Sequence, residues 1–93
     1  MILVRMEGEG FRNIGVLDGY LVVADRSLEP ADKQLVVATV GGRQIVRRLK
    51  WCEGRRYLLV DDLSRETLEI NKRSGAQIVA VVTSIIPVIS GSK

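Results

Sequence analysis

The sequence predicts a single domain built mostly of β-strands, and three stretches carry that prediction. Tyr20 to Ala24 is an apolar strand that follows an Asp18-Gly19 turn and precedes a polar loop. Gln34 to Val40 and Arg43 to Lys50 flank a Gly-Gly pair, which is typical of a hairpin with a primed turn. Gln77 to Ile86 is a long apolar run rich in β-branched residues.

Length and composition favour one folded domain over residues 1–93, with residues 90–93 as a flexible tail. Hydrophobic residues at 46% and charged residues at 27% lie near globular averages, which argues against a disordered or fibrous chain. Fourteen Lys and Arg against 11 Asp and Glu give a net charge of +3. This mild excess leaves open an acidic partner or a weak nucleic-acid surface.

Cysteine and histidine are nearly missing from the sequence. Cys52 is the single cysteine and there is no histidine, so we expect no internal disulfide, no zinc site and no cofactor. A reducing cytoplasm fits this usage best. The longest nearly apolar run, Ile78 to Ile89, has 12 residues, whereas a membrane-spanning helix needs about 20. We therefore expect no membrane segment.

The first half of the chain alternates between strands and polar connections. Ile2 to Met6 predicts a short core strand, and residues 25–33 predict a solvated loop. On the second strand of the hairpin, the period of two places Ile45, Arg47 and Leu49 on one face. Arg47 should therefore point with the apolar set.

Six basic residues lie between Arg43 and Arg56, close to Trp51 and Tyr57. Such a mixture suits single-stranded nucleic acid, but alternation along the strands sends the charges to different faces. We therefore do not expect direct nucleic-acid binding. Residues 51–56 predict a turn, and Asp61-Asp62 predicts another turn rather than a metal site.

The last third of the chain ends in the strand Gln77 to Ile86. Before it, Ser64 to Ile70 predicts a connection with Leu68 and Ile70 buried, and Asn71 to Gly75 predicts a polar turn. The final strand carries no interior charge to protect an exposed edge, so the core or another subunit should cover it. For a homodimer, the predicted interface residues are Val79, Val81, Thr83 and Ile85.

Leu17 to Pro30 and Gln44 to Lys50 together resemble the C-terminal domain of the LexA and UmuD family. That family comprises self-cleaving serine–lysine peptidases of the bacterial SOS response. There, a Gly-Asp-Ser-Met segment with the nucleophile precedes an Asp-Gly turn and a strand ending in Asp-Arg-Ser. A later strand similar to Thr-Val-Lys-Arg-Leu carries the lysine base. The resemblance implies a mostly β fold with bent strands and little helix.

The resemblance places Gly10 at the serine position and Arg47 at the lysine position. Glycine has no nucleophilic side chain, and an arginine keeps its positive charge at every ordinary pH. No serine or threonine precedes Ser27 to replace the nucleophile. The resemblance therefore implies a pseudo-peptidase, in which Phe11 fills the former cleft and Glu9 pairs with Arg47.

The resemblance also implies a function without catalysis. The chain is similar to UmuD, which predicts a homodimeric accessory protein of SOS mutagenesis that binds a Y-family translesion DNA polymerase or a UmuD-like subunit. The alternative is the dimerisation domain of a non-cleavable LexA-like or phage-type repressor. An active hydrolase is the third and weakest interpretation, because both catalytic residues are replaced.

Overall fold

We describe a computed structural model of the chain over residues 1–5, 20–59 and 67–87. All the regular elements within these ranges are strands, which confirms the mostly β prediction. The strands are β1 Ile2–Arg5, β2 Leu21–Asp25, β3 Leu35–Val40, β4 Arg43–Cys52, β5 Arg55–Leu59, β6 Thr67–Glu69 and β7 Gln77–Ile86. No helix in these ranges is long and apolar enough to cross a membrane.

Several predictions concern residues that the structure does not describe. These are the loop with Glu9, Gly10 and Phe11, the Asp18-Gly19 turn, the Asp61-Asp62 turn and the tail of residues 90–93. Each of them stays a prediction.

The seven strands form one sheet in the order β1-β2-β7-β3-β4-β5-β6, with every neighbouring pair antiparallel. The last strand, β7, therefore lies in the interior of the sheet between β2 and β3. β3 pairs with the first half of β7 and β2 pairs with the second half, so each half has one described neighbour. The sequence predicts that either the core or another subunit covers this strand, and strands of the same chain pair with it.

Apolar side chains are buried on both faces of the sheet. Along β3, Val36 and Ala38 point to one face and Val37 to the other, because side chains alternate along a strand. The first core cluster contains Val4, Val22, Ala24, Val37, Val46 and Ala80. The second core cluster contains Val36, Ala38, Leu49, Leu58, Ala76 and Val81. β3, β4 and β7 thus contribute side chains to both clusters, whereas β2 contributes to the first one.

The β3–β4 hairpin confirms the prediction made from the Gly-Gly pair. Gly41 and Gly42 have φ angles of 58° and 81°, as a type I′ turn requires at both of its central positions. The ladder extends over the whole of β3, from Leu35 opposite Arg48 to Val40 opposite Arg43. Local turn chemistry therefore sets the register of these two strands.

Two predicted boundaries are wrong. The turn predicted over residues 51–56 is confined to Glu53 and Gly54, whose φ angles are 52° and 77°. These two residues form a second tight turn, so β4 continues past Lys50 to Cys52 and pairs with β5. Similarly, the predicted connection from Ser64 to Ile70 contains the short strand β6, which pairs with β5.

The segment after β6 follows its prediction more closely. Leu68 and Ile70 are half-buried and pack against the second core cluster. The polar turn that follows is held by hydrogen bonds among its own residues: the Ser74 N–H donates to Asn71 Oδ1 at 2.8 Å, and the Gly75 N–H donates to the Asn71 carbonyl at 3.2 Å. This turn returns the chain to the start of β7.

β7 contains two bulges. Against β3, Val79 is the extra residue, because its two neighbours pair with consecutive residues of β3. Against β2, Thr83 is the extra residue for the same reason. Each bulge resets the alternation of side chains along the strand. Simple alternation of odd and even positions along β7 therefore does not predict which face of the sheet a side chain occupies.

Replacing Leu49 by Ala tests the second core cluster. Leu49 is fully buried, and truncating a buried leucine to alanine costs about 2–5 kcal/mol of the free energy of unfolding. The matched control is Leu28→Ala, since Leu28 is 45% exposed, and we expect a change within about 0.5 kcal/mol. Urea unfolding followed by circular dichroism measures both variants. Equal losses would contradict the described packing.

Candidate functional site

Arg47 is the residue of the predicted degenerate site that the structure locates. It lies on β4, and the alternation of side chains places it on the same face as Ile45 and Leu49. Leu49 belongs to the second core cluster and Ile45 packs against it. Arg47 pairs with Val36 of β3, which in turn pairs with Val81 of β7. The prediction that Arg47 points with the apolar set is therefore confirmed.

The surroundings of Arg47 are partly closed to solvent. The side chain is half-buried, and its Nη1 donates a hydrogen bond to the backbone carbonyl of Val46 at 2.8 Å. A guanidinium carries only donors and keeps its charge at every ordinary pH. The group at this position therefore cannot accept a proton from a nucleophile.

The neighbouring Arg48 lies on the opposite face and has a structural contact of its own. Its Nη1 donates to the Lys33 carbonyl at 2.8 Å. The same connecting loop is also held by Asp32, whose Oδ1 accepts the Trp51 backbone N–H at 2.8 Å. These contacts attach the loop before β3 to the outer half of β4.

The remaining basic residues of this region divide between the two faces. Trp51 pairs with Arg56, and the Arg56 guanidinium lies 5.9 Å from the centroid of the Trp51 ring. Lys50 and Arg55 lie on the opposite face, because each alternates with one of these residues along its strand. The expected division of charge between the faces is thus present, while nucleic-acid binding stays untested.

The predicted interface residues do not form one continuous face. Val81 is buried within the second core cluster, whereas Val79 and Ile85 pack against the first core cluster. Thr83 is exposed at a bulge, and its Oγ1 donates to the Val23 carbonyl at 3.3 Å. Two bulges interrupt β7, so these four residues do not all lie on one side of the strand. A homodimer remains a prediction.

A cleft that the sequence did not predict lies where β2 ends. It has a volume of about 600 Å³ and is lined by residues 26–30, by Arg56, by residues 70–72 and by residues 76–80. Three of its lining residues are cations that come from three separate parts of the chain, Arg26, Arg56 and Lys72. The sequence predicts residues 25–33 only as a solvated loop, because no local signal in it indicates that this loop lies near the start of β7.

The turn at the rim of this cleft is held by Asp25 and Ser27. The Ser27 hydroxyl and the Ser27 backbone N–H both donate to Asp25 Oδ1, at 2.7 and 2.8 Å. These two hydrogen bonds, the hydroxyl first, favour the ionised carboxylate and lower the pKa of Asp25 below its ordinary value. The chain therefore leaves β2 through a defined turn.

Replacing Ser27 by Ala tests this turn. The variant lacks the hydroxyl donor, so we expect the pKa of Asp25 to rise toward its ordinary value, measured by carbon NMR of the carboxyl group. Because the folded pKa is depressed, the stabilisation is present above the unfolded pKa and is lost as pH falls through the folded value. Ser84→Ala, which removes an exposed hydroxyl on β7, should leave the Asp25 pKa unchanged. An unshifted pKa in Ser27→Ala would contradict the hydrogen bond.

Comparison with known proteins gives one family. Residues 1–83 match the Peptidase S24-like family. A LexA repressor of Thiobacillus denitrificans is 29% identical over 85 residues, which cover 90% of this chain and 42% of that protein. A LexA repressor of Bordetella petrii is 35% identical over 60 residues, covering 64% of this chain and 27% of that protein.

A third relative, a LexA repressor of Hahella chejuensis, is 29% identical over 68 residues and covers 73% of this chain and 34% of that protein. The chain thus spans less than half the length of each of these relatives. The all-strand antiparallel sheet agrees with the fold that the resemblance implied. The family match over residues 1–83 covers most of the chain. The chain therefore belongs to the Peptidase S24-like family.

Proposed function

We propose that this chain is a non-catalytic member of the family that acts through protein contacts. The observation that carries the proposal is Arg47, which stands where the resemblance implies a lysine base. A lysine at such a position can lose its proton when burial lowers its pKa, but an arginine cannot. Gly10 stands at the implied serine position and supplies no hydroxyl. Cleavage chemistry would lack both its nucleophile and its base.

The role that we propose is a homodimeric, UmuD-like accessory protein that binds a Y-family translesion DNA polymerase in SOS mutagenesis. Its support is the resemblance of residues 17–30 and 44–50 to the LexA and UmuD domains. A cytoplasmic location belongs to the same proposal and is supported by Cys52, which is an exposed free thiol.

A second candidate function is the dimerisation domain of a repressor that cannot be induced by self-cleavage. The names of the relatives favour it, since three LexA repressors match 64% to 90% of this chain. The two candidates share the same non-catalytic domain. They differ in the partner, a polymerase in the first and a repressor in the second.

Affinity capture separates these candidates. The tagged protein is recovered from its source cells after DNA damage, and the retained proteins are identified by mass spectrometry. Recovery of a Y-family polymerase, absent from a capture with the tag alone, is the result expected for an accessory subunit. Recovery only of the chain itself or of a repressor would contradict polymerase binding and favour the dimerisation domain.

We also propose that Glu9 and Arg47 form an ion pair that closes the former catalytic cleft. The support is the half-buried guanidinium of Arg47 on the apolar side of β4. A charge in such a position is costly unless it is paired and hydrogen-bonded. Glu9 is adjacent in sequence to Gly10, the implied serine position, so the resemblance places it near Arg47.

A double-mutant cycle with Glu9→Ala and Arg47→Met measures this pair. We expect the two substitutions to be non-additive in the free energy of unfolding by at least about 0.5 kcal/mol, as contacting residues are. The control is Glu29→Ala combined with Arg47→Met, since Glu29 is exposed in the loop after β2. Additivity in the Glu9 cycle, or an unchanged stability of Glu9→Ala, would contradict the pair.

A further inference from the structure

The cleft lies against a section of β7 that has a described neighbour on one side alone. β3 pairs with β7 from Gln77 to Val81, whereas β2 pairs with it from Val81 to Ile86. β2 ends at Asp25, opposite Val81, and a turn follows at residues 26–27. Among the described residues, none pairs with residues 77–80 on the side that β2 has left.

This open side carries hydrogen-bonding groups of the backbone. In an antiparallel sheet, alternate residues direct both their N–H and C=O groups to the same neighbour. Part of the backbone of residues 77–80 therefore points into the cleft rather than toward β3. The section is about 13 Å long at a rise of about 3.3 Å per residue, which matches a short extended peptide.

The cleft is large enough for such a peptide. Its volume of about 600 Å³ lies within the usual range of about 300–1,000 Å³ for ligand sites. The loop of residues 26–30 and the first residues of β7 both line it, and Ile70 and Ile78 add apolar surface. A strand in this space would place alternate side chains against that apolar surface.

The charged residues that line the cleft favour a ligand of negative charge. Arg26, Arg56 and Lys72 line it, together with one carboxylate, that of Glu29. Arg26 and Lys72 are both exposed and come from separate segments of the lining, so cations outnumber carboxylates around an occupant. Complementary charges steer association and fix orientation across such an interface. An acidic segment therefore fits this cleft better than a neutral or basic one.

We propose that the cleft binds an extended acidic peptide segment of a partner protein, which adds to β7 as a strand along residues 77–80. Addition of a strand to a sheet edge takes its affinity from backbone hydrogen bonds and its specificity from side-chain pockets. Single-stranded nucleic acid fits less well, since it needs aromatic stacking surfaces and no described lining residue is aromatic. This site is independent of the polymerase proposal, and Arg47 does not line it.

A fluorescein-labelled peptide of alternating Glu and Val residues tests the site by fluorescence anisotropy. We expect saturable binding that weakens as the salt concentration rises. Reversal of the rim charges in Arg26→Glu/Lys72→Glu should weaken binding by at least about tenfold. The matched control is Arg43→Glu/Lys50→Glu, which changes the net charge equally at exposed residues outside the cleft. We expect it to retain binding within about twofold.

A second peptide separates strand addition from charge attraction alone. Methylation of alternate backbone nitrogens removes the donors that a strand needs, while the charges stay the same. One of the two alternating methylation patterns should weaken binding by at least about tenfold, because it removes hydrogen bonds to β7. Circular dichroism of each protein variant verifies that it is folded.

Four results would overturn the proposal. They are the lack of saturable binding, equal losses in the two charge-reversal variants, unchanged binding of both methylated peptides, and tighter binding of an oligothymidine with the same dependence on Arg26 and Lys72.

Discussion

The insertion of β7 between β2 and β3 is the constraint on which the rest of the described structure depends. β7 follows the other strands in sequence, yet its pairing with β2 and β3 joins the two halves of the sheet. Ala80 and Val81 are consecutive residues that enter different core clusters, so this one strand contributes to both apolar layers. Because these contacts are distant in sequence, the sheet cannot be completed until the end of the chain has been placed.

The features that were predictable from sequence are those with local causes. Gly41 and Gly42 set the β3–β4 hairpin, and the period of two placed Arg47 with the apolar set. The extension of β4 to Cys52 was missed, because the positive φ of Glu53 has no signature as strong as a Gly-Gly pair. The bulges at Val79 and Thr83 were missed as well, since they arise from the fit of β7 between two neighbours. The cleft could not be predicted from the sequence, because the residues that line it come from separate parts of the chain.

The residues that stabilise the described fold differ from the residues that the resemblance implies for catalysis. Both core clusters consist of apolar side chains, and no charged or polar residue among the described residues is fully buried. The position that the resemblance assigns to the base lies at the border of the second core cluster. An arginine fits there because its Nη1 reaches the Val46 carbonyl and its stem can lie along apolar surface. An arginine in place of the lysine that the resemblance implies therefore removes a proton acceptor, while the sheet is kept.

The central claim is that a fixed positive charge at Arg47 and a glycine at position 10 leave the domain without cleavage activity. The most direct measurement is hydrolysis of a fluorogenic peptide between pH 7 and 10, a range in which a lysine base becomes increasingly neutral. The peptide contains an Ala-Gly bond, which the resemblance to the LexA and UmuD family implies as a cleavage site. We expect no hydrolysis by the natural chain at any pH, and hydrolysis that rises with pH in Gly10→Ser/Arg47→Lys. Hydrolysis by the natural chain that is lost in Arg47→Met would contradict the claim.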